Sequence, residues 1–300
     1  MRVLVTGGAG FIGSHLVERL VGMGLEVFVI DNFSTGKKEN IGNLYFNEIR
    51  IYEEDIENSY LKNIIFSISP EYIFHCAALP RVEKSIASPL ETHNANVNGT
   101  LNVLLASKEV GVKKVIFSSS SSVYGNKNKF PVSEKEDTNP IHPYGLQKLI
   151  GEKYCKMFSE LYGLSTVSLR YHNVYGDRMA GEGAYCSVLP IFMKQKREGS
   201  PLTIVPDGNQ SRDFTFVGDV VDANILAMEN EEVGKTGEVF NIGSGEDHSV
   251  NEIADLFGGE KIFIAPRIEP KRSLADISKA RKVLGWEPKE NLLEWIKRNA

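Results

Sequence analysis

Short apolar runs alternate with longer amphipathic segments along the first half of the chain. The runs are rich in β-branched residues and are short enough to form buried strands. They predict strands over 2–5, 26–30, 48–52, 71–75, 113–118 and 164–170. Apolar positions between them recur at helical spacing and predict helices over 12–23, 58–67, 94–110 and 145–162. Alternating strands and helices favour an α/β fold with a doubly wound parallel sheet.

The rhythm changes after residue 171, where glycine-rich and turn-rich segments appear. Further elements are predicted as helices over 187–198 and 218–230, strands over 201–204 and 237–242, and an amphipathic stretch over 290–298. The predicted first domain takes residues 1–171 and 214–243. A smaller α/β substrate domain takes residues 172–213 and 244–300. A cleft between two such units is a common place for a ligand.

Composition and charge narrow the function classes. The 300-residue chain has a formal net charge of −5 and a sequence pI of about 5.8, so no nucleic-acid or anionic-membrane partner is expected. No apolar run is long enough for a transmembrane helix, and a strand begins at once, so no signal peptide is expected. Cys76, Cys155 and Cys186 form no disulfide or metal pattern, which predicts a reducing cytoplasm. The histidines lack ligand spacing, and we predict no metal site.

Three glycines follow the first predicted strand and open the first predicted helix: Gly7, Gly10 and Gly13. Glycine allows a tight turn here and lets a pyrophosphate approach the amino end of the helix. A generic glycine-rich turn would show the same spacing. Asp31, however, ends the second strand, where an acid accepts hydrogen bonds from the adenosine ribose. It would repel a 2′-phosphate, so NAD is predicted over NADP. Asp55, after the third strand, either meets the adenine edge or caps the next helix.

Tyr144 and Lys148 lie four residues apart, hence on one face of a predicted helix. To act as a base near neutrality, the phenol pKa must fall from about 10 to about 7. A nearby ammonium in a shielded cleft lowers it in that direction, and the positive nicotinamide ring adds to the effect. A surface Tyr/Lys pair would show the same spacing, but this one follows a strand that ends in Ser118, Ser119 and Ser120. A serine there can hydrogen-bond both the phenol and a substrate oxygen.

The motifs together resemble the extended short-chain dehydrogenase/reductase family and, within it, nucleotide-sugar epimerases of the UDP-glucose 4-epimerase type. The likeness runs through nearly the whole length. The matching segments are 6–13, 31–32, 55–56, 75–78, 96–100, 117–125, 144–148, 170–176, 212–214, 275–277 and 284–286.

The resemblance implies a Rossmann-type sheet, a tightly bound NAD and a UDP-sugar substrate. It makes Tyr144 the acid/base, Lys148 its activator and Ser120 the catalytic hydroxyl. The implied cofactor residues are Gly7, Gly10, Phe11, Ile12, Gly13, Asp31, Asn32, Asp55, Ile56, Ala77, Asn96, Ser118, Tyr144, Lys148 and Tyr171. The implied substrate residues are Ser85, Ser120, Asn173, Val188, Arg212, Arg267 and Ser273.

Ser121 and Ser122 distinguish among the reactions that members of this family catalyse. Dehydratases and decarboxylases place a Glu or an Asp-Glu pair where this chain has Ser121 and Ser122, and a hydroxyl is too weak a base for that chemistry. We therefore expect C4 epimerisation of a UDP-hexose through a transient 4-keto sugar. A keto-sugar reductase and a non-catalytic NAD-binding regulatory protein stay open as alternatives. The small Ser273 predicts room for a 2-acetamido group, so UDP-GlcNAc and UDP-GalNAc are included.

Two further expectations follow from the resemblance. His172 stands where relatives more often carry Phe, and it either tunes the site or simply fills an aromatic-sized slot. Relatives form dimers through two helices, which here are those near 94–110 and 145–162. The second of these carries more apolar surface than one contact with a sheet needs, so we predict a homodimer.

Overall fold

The computed structural model describes residues 1–44, 48–179, 188–265 and 270–300. Strands of the first half are β1 (Arg2–Thr6), β2 (Glu26–Asp31), β3 (Ile49–Glu53), β4 (Tyr72–His75), β5 (Lys114–Ser120) and β6 (Ser165–Tyr171). The α-helices among them are α1 (Phe11–Gly22), α2 (Leu61–Ile68), α3 (Val82–Ala87), α4 (Pro89–His93), α5 (Gly99–Val110) and α6 (Pro143–Tyr162).

The second half contains shorter elements. Its strands are β7 (Val174–Tyr175), β8 (Leu202–Ile204), β9 (Ser211–Asp213), β10 (Thr215–Phe216), β11 (Glu238–Ile242), β12 (Asp247–Ser249), β13 (Lys261–Phe263) and β14 (Arg272–Ser273). Its helices are α7 (Val188–Glu198), α8 (Val217–Glu229), α9 (Val250–Phe257) and α10 (Leu292–Asn299).

Seven parallel strands form the main sheet, in the order β11-β6-β5-β4-β1-β2-β3. The strand order reverses between β1 and β4, and in such sheets ligands bind outside the carboxyl ends of the strands at that point. The six strands predicted in the first half are all present, with ends displaced by two residues at most. The predicted α/β fold with a Rossmann-type doubly wound sheet is confirmed.

Alternating side chains of the strands divide the core between the two faces of the sheet. Val3 and Val5 of β1 pack on the side of α1 and α8, whereas Leu4 packs on the side of α2, α5 and α6. All three are fully buried. A strand with both faces covered by helices is apolar at every position, which is why β1 is a continuous apolar run.

Two predicted helices of the first half differ from the structure by more than a shift of two residues at an end. The helix predicted from residue 58 begins at Leu61, because the side chains of Asp55 and Asn58 close turns by accepting from the backbone N–H groups of Glu57 and Tyr60. Asp55 therefore does not cap this helix, and that alternative is wrong. The helix predicted over 94–110 is present, but its first turn, Asn94–Asn98, is π-helical.

A separate apolar cluster supports the smaller unit. It joins α7, α9 and α10 through Phe192, Phe257 and Trp295. Segment 275–286, predicted to belong to the smaller domain, contributes Ala275 and Trp286 to the apolar cluster of the main sheet. The domain boundaries at this segment stay a prediction.

Candidate active site

The glycine turn between β1 and α1 is packed too closely for any side chain. Gly7 has a φ of +70°, and a Cβ on it would lie 2.6 Å from the backbone nitrogen of Ala77. A Cβ on Gly13 would lie 2.1 Å from the carbonyl oxygen of Gly7. Helix α1 begins after Gly10, and in the described residues no side chain caps it. Its first N–H groups, including those of Phe11 and Ile12, are thus available to the phosphates of a dinucleotide.

Asp31 closes the other side of this turn. One carboxylate oxygen accepts from the backbone N–H of Ala9 at 2.9 Å, and the other accepts from that of Phe33 at 2.8 Å. Burial raises the pKa of Asp31, while these two hydrogen bonds oppose the rise. Asn32 donates to Asp55 at 2.7 Å, which links the ends of β2 and β3. Each oxygen of Asp31 has a second lone pair, so the group fits a role as acceptor for ribose hydroxyls.

Asn96 and Ile56, both predicted at the cofactor, hold neighbouring segments of the chain in place. The Asn96 side chain accepts from Leu79 N–H at 2.7 Å and donates to Leu79 C=O at 3.1 Å and to Gln147 at 2.8 Å. It therefore fixes the loop after β4, next to Ala77. The buried Ile56 side chain packs against Gly99, at the start of α5. A direct cofactor contact by Asn96 stays a prediction, and its position is explained by the loop that it holds.

Tyr144, Ser120 and Lys148 come together at the carboxyl end of β5. Tyr144 is in the first turn of α6, and its phenol interacts with the Ser120 hydroxyl. Lys148 lies one turn later, where its ammonium donates to the Ser118 carbonyl at 2.7 Å and lies 4.9 Å from the Phe117 ring centroid. Tyr144 and Ser120 thus interact at the end of β5, and Lys148 is held one helical turn away by the Ser118 carbonyl.

The pKa of Tyr144 shifts in the direction opposite to the one expected from the sequence. Burial raises the pKa of Tyr144 to about 12, and the hydrogen bond to Ser120 only reduces the rise. Burial also lowers the pKa of Lys148 to about 8. The expected fall of the phenol pKa is not found, because desolvation outweighs the neighbouring groups. With a pKa of about 12, the Tyr144 phenol is protonated near neutrality and is a weaker acid than an ordinary tyrosine.

Ser118 and Tyr171, both predicted at the cofactor, are bonded to each other. Their hydroxyls lie 3.2 Å apart, and the Tyr171 hydroxyl also donates to Asn224 of α8 at 3.0 Å. Ser118 in addition donates to the sulfur of Cys76 at 3.3 Å. These bonds fix the floor of the crevice between β4, β5 and β6, and contact with a cofactor stays a prediction for both residues.

A cavity of about 390 Å³ opens beside the catalytic group and extends into the smaller unit. The predicted substrate residues Asn173, Val188, Arg212 and Ser273 all line it, as do Ser121 and Ser122. Asn173, at a φ of +30°, donates from its amide to the Asp213 carbonyl at 2.9 Å. Arg212 is held by a hydrogen bond to the Ser211 carbonyl at 2.8 Å. The structure thus brings four of the predicted substrate residues to one surface.

The other three predicted substrate residues are Ser120, Ser85 and Arg267, and Ser120, at the end of β5, is next to a lining residue but does not line the cavity itself. Ser85 is fully buried, and its hydroxyl donates to the Val82 carbonyl at 2.5 Å and accepts from the backbone N–H of Tyr144 at 3.1 Å. Ser85 therefore lies next to the first turn of α6. The backbone N–H of Tyr144 has no acceptor within the helix, so the Ser85 hydroxyl supplies one and holds Tyr144 in place. Arg267 lies outside the described residues.

A buried ion pair beneath the catalytic residues was not predicted. The Glu152 carboxylate accepts from the Arg170 guanidinium at 2.9 and 2.7 Å and from the Ser119 hydroxyl. Arg170 also donates to the Tyr124 hydroxyl at 2.7 Å, and Tyr124 lines the cavity. One sequence signal was present: Glu152 follows Lys148 by four residues, on the same helix face as Tyr144.

Among the described residues, no group of three or more His, Cys, Asp and Glu side chains could hold a metal ion. Within the same part of the chain, every helix is too short or too polar to cross a bilayer.

Comparisons with known proteins assign the chain to a family. A model of the NAD dependent epimerase/dehydratase family matches residues 3–243. A putative UDP-glucose 4-epimerase of Methanocaldococcus jannaschii is 40% identical, over 99% of this chain and 96% of that protein. The crystal structure of UDP-glucose 4-epimerase with UDP-glucose from Thermotoga maritima is 41% identical with a TM-score of 0.93, covering 100% of this chain and 97% of that one. UDP-N-acetylglucosamine 4-epimerase from Methanobrevibacter ruminantium M1 is 38% identical with a TM-score of 0.92, covering 99% and 96%.

These matches confirm the resemblance that the motifs predicted. They extend over both units of the structure and not over the sheet alone. The chain therefore belongs to the NAD dependent epimerase/dehydratase family.

Proposed function

We propose that this protein uses NAD to invert C4 of a UDP-hexose through a transient 4-keto sugar. One observation carries the proposal: Tyr144 interacts with Ser120 at the carboxyl end of β5, and the next residues, Ser121 and Ser122, line the cavity that Arg212 also lines. A cofactor on one side and a sugar diphosphate on the other would then meet at the phenol. The UDP-sugar enzymes among the relatives support this reading.

The glycine turn and Asp31 fit a dinucleotide, because the turn excludes side chains and the start of α1 lacks a side-chain cap. Bound there, NAD supplies a reversible acceptor for the hydride from the sugar C4. Tyr144 takes the proton of the 4-hydroxyl and later returns it, and Ser120 hydrogen-bonds the same oxygen. The ammonium of Lys148, on the same helix face, stabilises the phenolate form. The pKa of about 12 for Tyr144 means that further positive charge must favour that form before it can act as a base near neutrality.

Inversion requires the keto sugar to present its other face to the same hydride position. The sugar turns about its diphosphate link, which calls for a firm hold on the diphosphate and space around the hexose. A guanidinium pairs with phosphate oxygens through two parallel hydrogen bonds, and we assign this role to Arg212. The cavity of about 390 Å³ supports the requirement for space around the hexose.

Elimination of water is not supported by the residues at the cavity. Ser121 and Ser122 line it, directly after the catalytic strand. A neutral hydroxyl cannot remove a carbon-bound proton at these positions. The proposal therefore keeps one acid/base residue and reversible hydride transfer.

The test is incubation of the purified protein with UDP-galactose in D₂O, without added NAD or reductant. We expect UDP-glucose to form with no deuterium at C4, because the same hydride leaves and returns. UDP-GalNAc is the second substrate, since Ser273 lines the cavity with a small side chain. Conversion of neither pair, with substrate and NAD both bound, would contradict the proposal.

Two alternatives give different results in that assay. A keto-sugar reductase would consume added NADH or NADPH in proportion to product, and the placement of Asp31 beside the turn disfavours NADPH. A non-catalytic NAD-binding protein would bind both ligands and turn over neither. The burial of Tyr144 and Lys148 together at the crevice favours a catalytic protein over a regulatory one.

We also propose a homodimer through α5 and α6. Exposed apolar side chains lie along these helices: Leu105, Leu146, Met157 and Leu161, the last 65% exposed. Leu161→Glu is expected to shift the mass measured by light scattering from dimer to monomer. Phe66→Glu, at a residue of α2 that is 69% exposed, is the matched control and should leave the mass unchanged. A monomeric wild-type protein would refute this proposal. A cytoplasmic location also stays a prediction.

A further inference from the structure

His172 and Ser273 form a hydrogen-bonded pair in the wall of the cavity. Nδ1 of His172 lies 3.2 Å from the Ser273 hydroxyl oxygen. The imidazole is 2% exposed, whereas Ser273 is half-buried, and both residues line the cavity. A ligand in the cavity would therefore meet the serine more readily than the ring behind it.

The main chain fixes both members of the pair. His172 follows β6, where its N–H donates to the Ile242 carbonyl at 2.9 Å and its C=O accepts from the Thr215 hydroxyl at 2.7 Å. Ser273 lies in β14 and is paired in register with Arg212 of β9. The serine is thus held beside the arginine that we assign to the diphosphate.

The surroundings keep the imidazole neutral and choose its tautomer. Burial lowers the pKa of His172; Asp213 and Asn241 oppose this, and Arg170 adds to it. A neutral imidazole has one N–H donor and one acceptor nitrogen. Nδ1 faces Ser273, so the tautomer decides which way the hydrogen bond of the pair runs.

Asn241 decides this direction. Its amide nitrogen donates to the carbonyls of Val132 and Asp276, at 2.9 and 3.2 Å. Its oxygen accepts from the Tyr124 hydroxyl at 2.7 Å and has a second lone pair. The buried Nε2 of His172 makes no hydrogen bond of normal geometry in the described residues. With its nitrogen engaged, the amide offers the ring an acceptor and no free donor, which favours the tautomer with the proton on Nε2 and with Nδ1 as an acceptor.

We propose that His172 makes the Ser273 hydroxyl a hydrogen-bond acceptor that selects a donor group on the hexose. Nδ1 takes the only hydroxyl proton of Ser273, so the lone pairs of the serine oxygen face the cavity. A sugar hydroxyl or the N–H of a 2-acetamido group satisfies such an acceptor, whereas a carboxylate facing it is repelled. His172 is a positioning residue here, and Ser273 makes the contact. The inference rests on the proposed function for the identity of the ligand as a UDP-hexose.

The experiment measures dissociation constants on the NAD-loaded protein, by calorimetry, for UDP-galactose and for analogues with fluorine in place of the hydroxyl at C2, C3 or C6. Fluorine keeps the size of the hydroxyl but cannot donate. In wild type we expect one analogue to bind about tenfold more weakly than UDP-galactose, the size of one hydrogen bond. In Ser273→Ala that difference should disappear.

Substitutions at His172 separate a positioning role from a purely structural one. His172→Phe keeps a flat ring but leaves the serine hydroxyl free to turn and donate, so the tenfold difference should fall to about twofold or less. His172→Asn places an amide oxygen near the position of Nδ1 and should restore the difference. Thermal denaturation and UDP affinity are recorded for each variant, so that a folding defect is recognised.

Two outcomes would overturn the inference. One is a wild type that binds every fluorinated analogue as tightly as UDP-galactose. The other is an unchanged difference in either Ser273→Ala or His172→Phe. Failure of the proposed function is a separate result, since absent turnover of UDP-galactose by wild type leaves these binding ratios measurable.

Discussion

Two Gly→Ala substitutions in α1 should have opposite effects on stability. In Gly13→Ala the new methyl would lie 2.1 Å from the Gly7 carbonyl oxygen, whereas ordinary contacts of a Cβ begin at 3.4 Å. The atoms must therefore separate by about 1.3 Å. Backbone forms this contact, so the helix start must move away from the turn, at a cost of about 1–3 kcal/mol or more. Gly22→Ala meets nothing within 4 Å at the other end of the same helix. It should stabilise the protein by about 0.5–1 kcal/mol, because alanine loses less backbone entropy in a helix.

The assays are urea denaturation and NAD affinity. Gly13→Ala should lower the unfolding midpoint and weaken NAD binding at least tenfold, since the displaced N–H groups of α1 no longer match the phosphates. Gly22→Ala should raise the midpoint and leave NAD affinity unchanged. A Gly13→Ala variant that binds NAD like wild type would refute the assignment of this turn to the cofactor. Equal effects of the two substitutions on stability would refute the steric argument.

Three further predictions concern groups around α6. Tyr144→Phe should lower kcat about 10²- to 10⁴-fold in the UDP-galactose assay while NAD still binds, as expected for loss of an acid/base group; turnover equal to wild type would exclude it as that group. The buried Lys148 has a pKa of about 8 against an unperturbed 10.5, so the folded state binds fewer protons in that window and the free energy of unfolding should rise with pH across it. Lys148→Met should lose this rise in urea titrations at pH 8 and pH 10.5, and a variant with the wild-type slope would contradict the assignment. Glu152→Gln leaves the buried Arg170 without its carboxylate and should cost about 3–5 kcal/mol by the same denaturation assay. Glu294→Gln, at an exposed pair, should leave the midpoint unchanged and serves as the control.

Much of the fold could be predicted because its signals are local. Val3, Leu4 and Val5 are apolar in succession, which marks a strand covered on both faces, and the following glycines mark a turn that no side chain can occupy. The four-residue spacing of Tyr144 and Lys148 likewise fixes their shared helix face. Each of these properties depends on neighbouring residues in the chain, so the sequence alone is enough.

The pKa of Tyr144 could not be predicted in the same way. The sequence indicated a cation one turn away, and from this a lowered value was expected. The actual rise to about 12 comes from burial, which depends on every element packed around the phenol. Ser85 shows the same limit, since its contact with the first turn of α6 joins residues 59 apart in the chain.

The sequence by itself determined the strands of the first half, the glycine turn, the acid at the end of β2 and the Tyr/Lys helix face, because periodicity and backbone chemistry act over a few residues. Only the tertiary structure decided which side chains share one cavity and how each proton is held. Asn241, His172 and Ser273 come from β11, the end of β6 and β14, and only packing makes them neighbours. Desolvation and hydrogen-bond direction arise from that packing, and no local pattern encodes them.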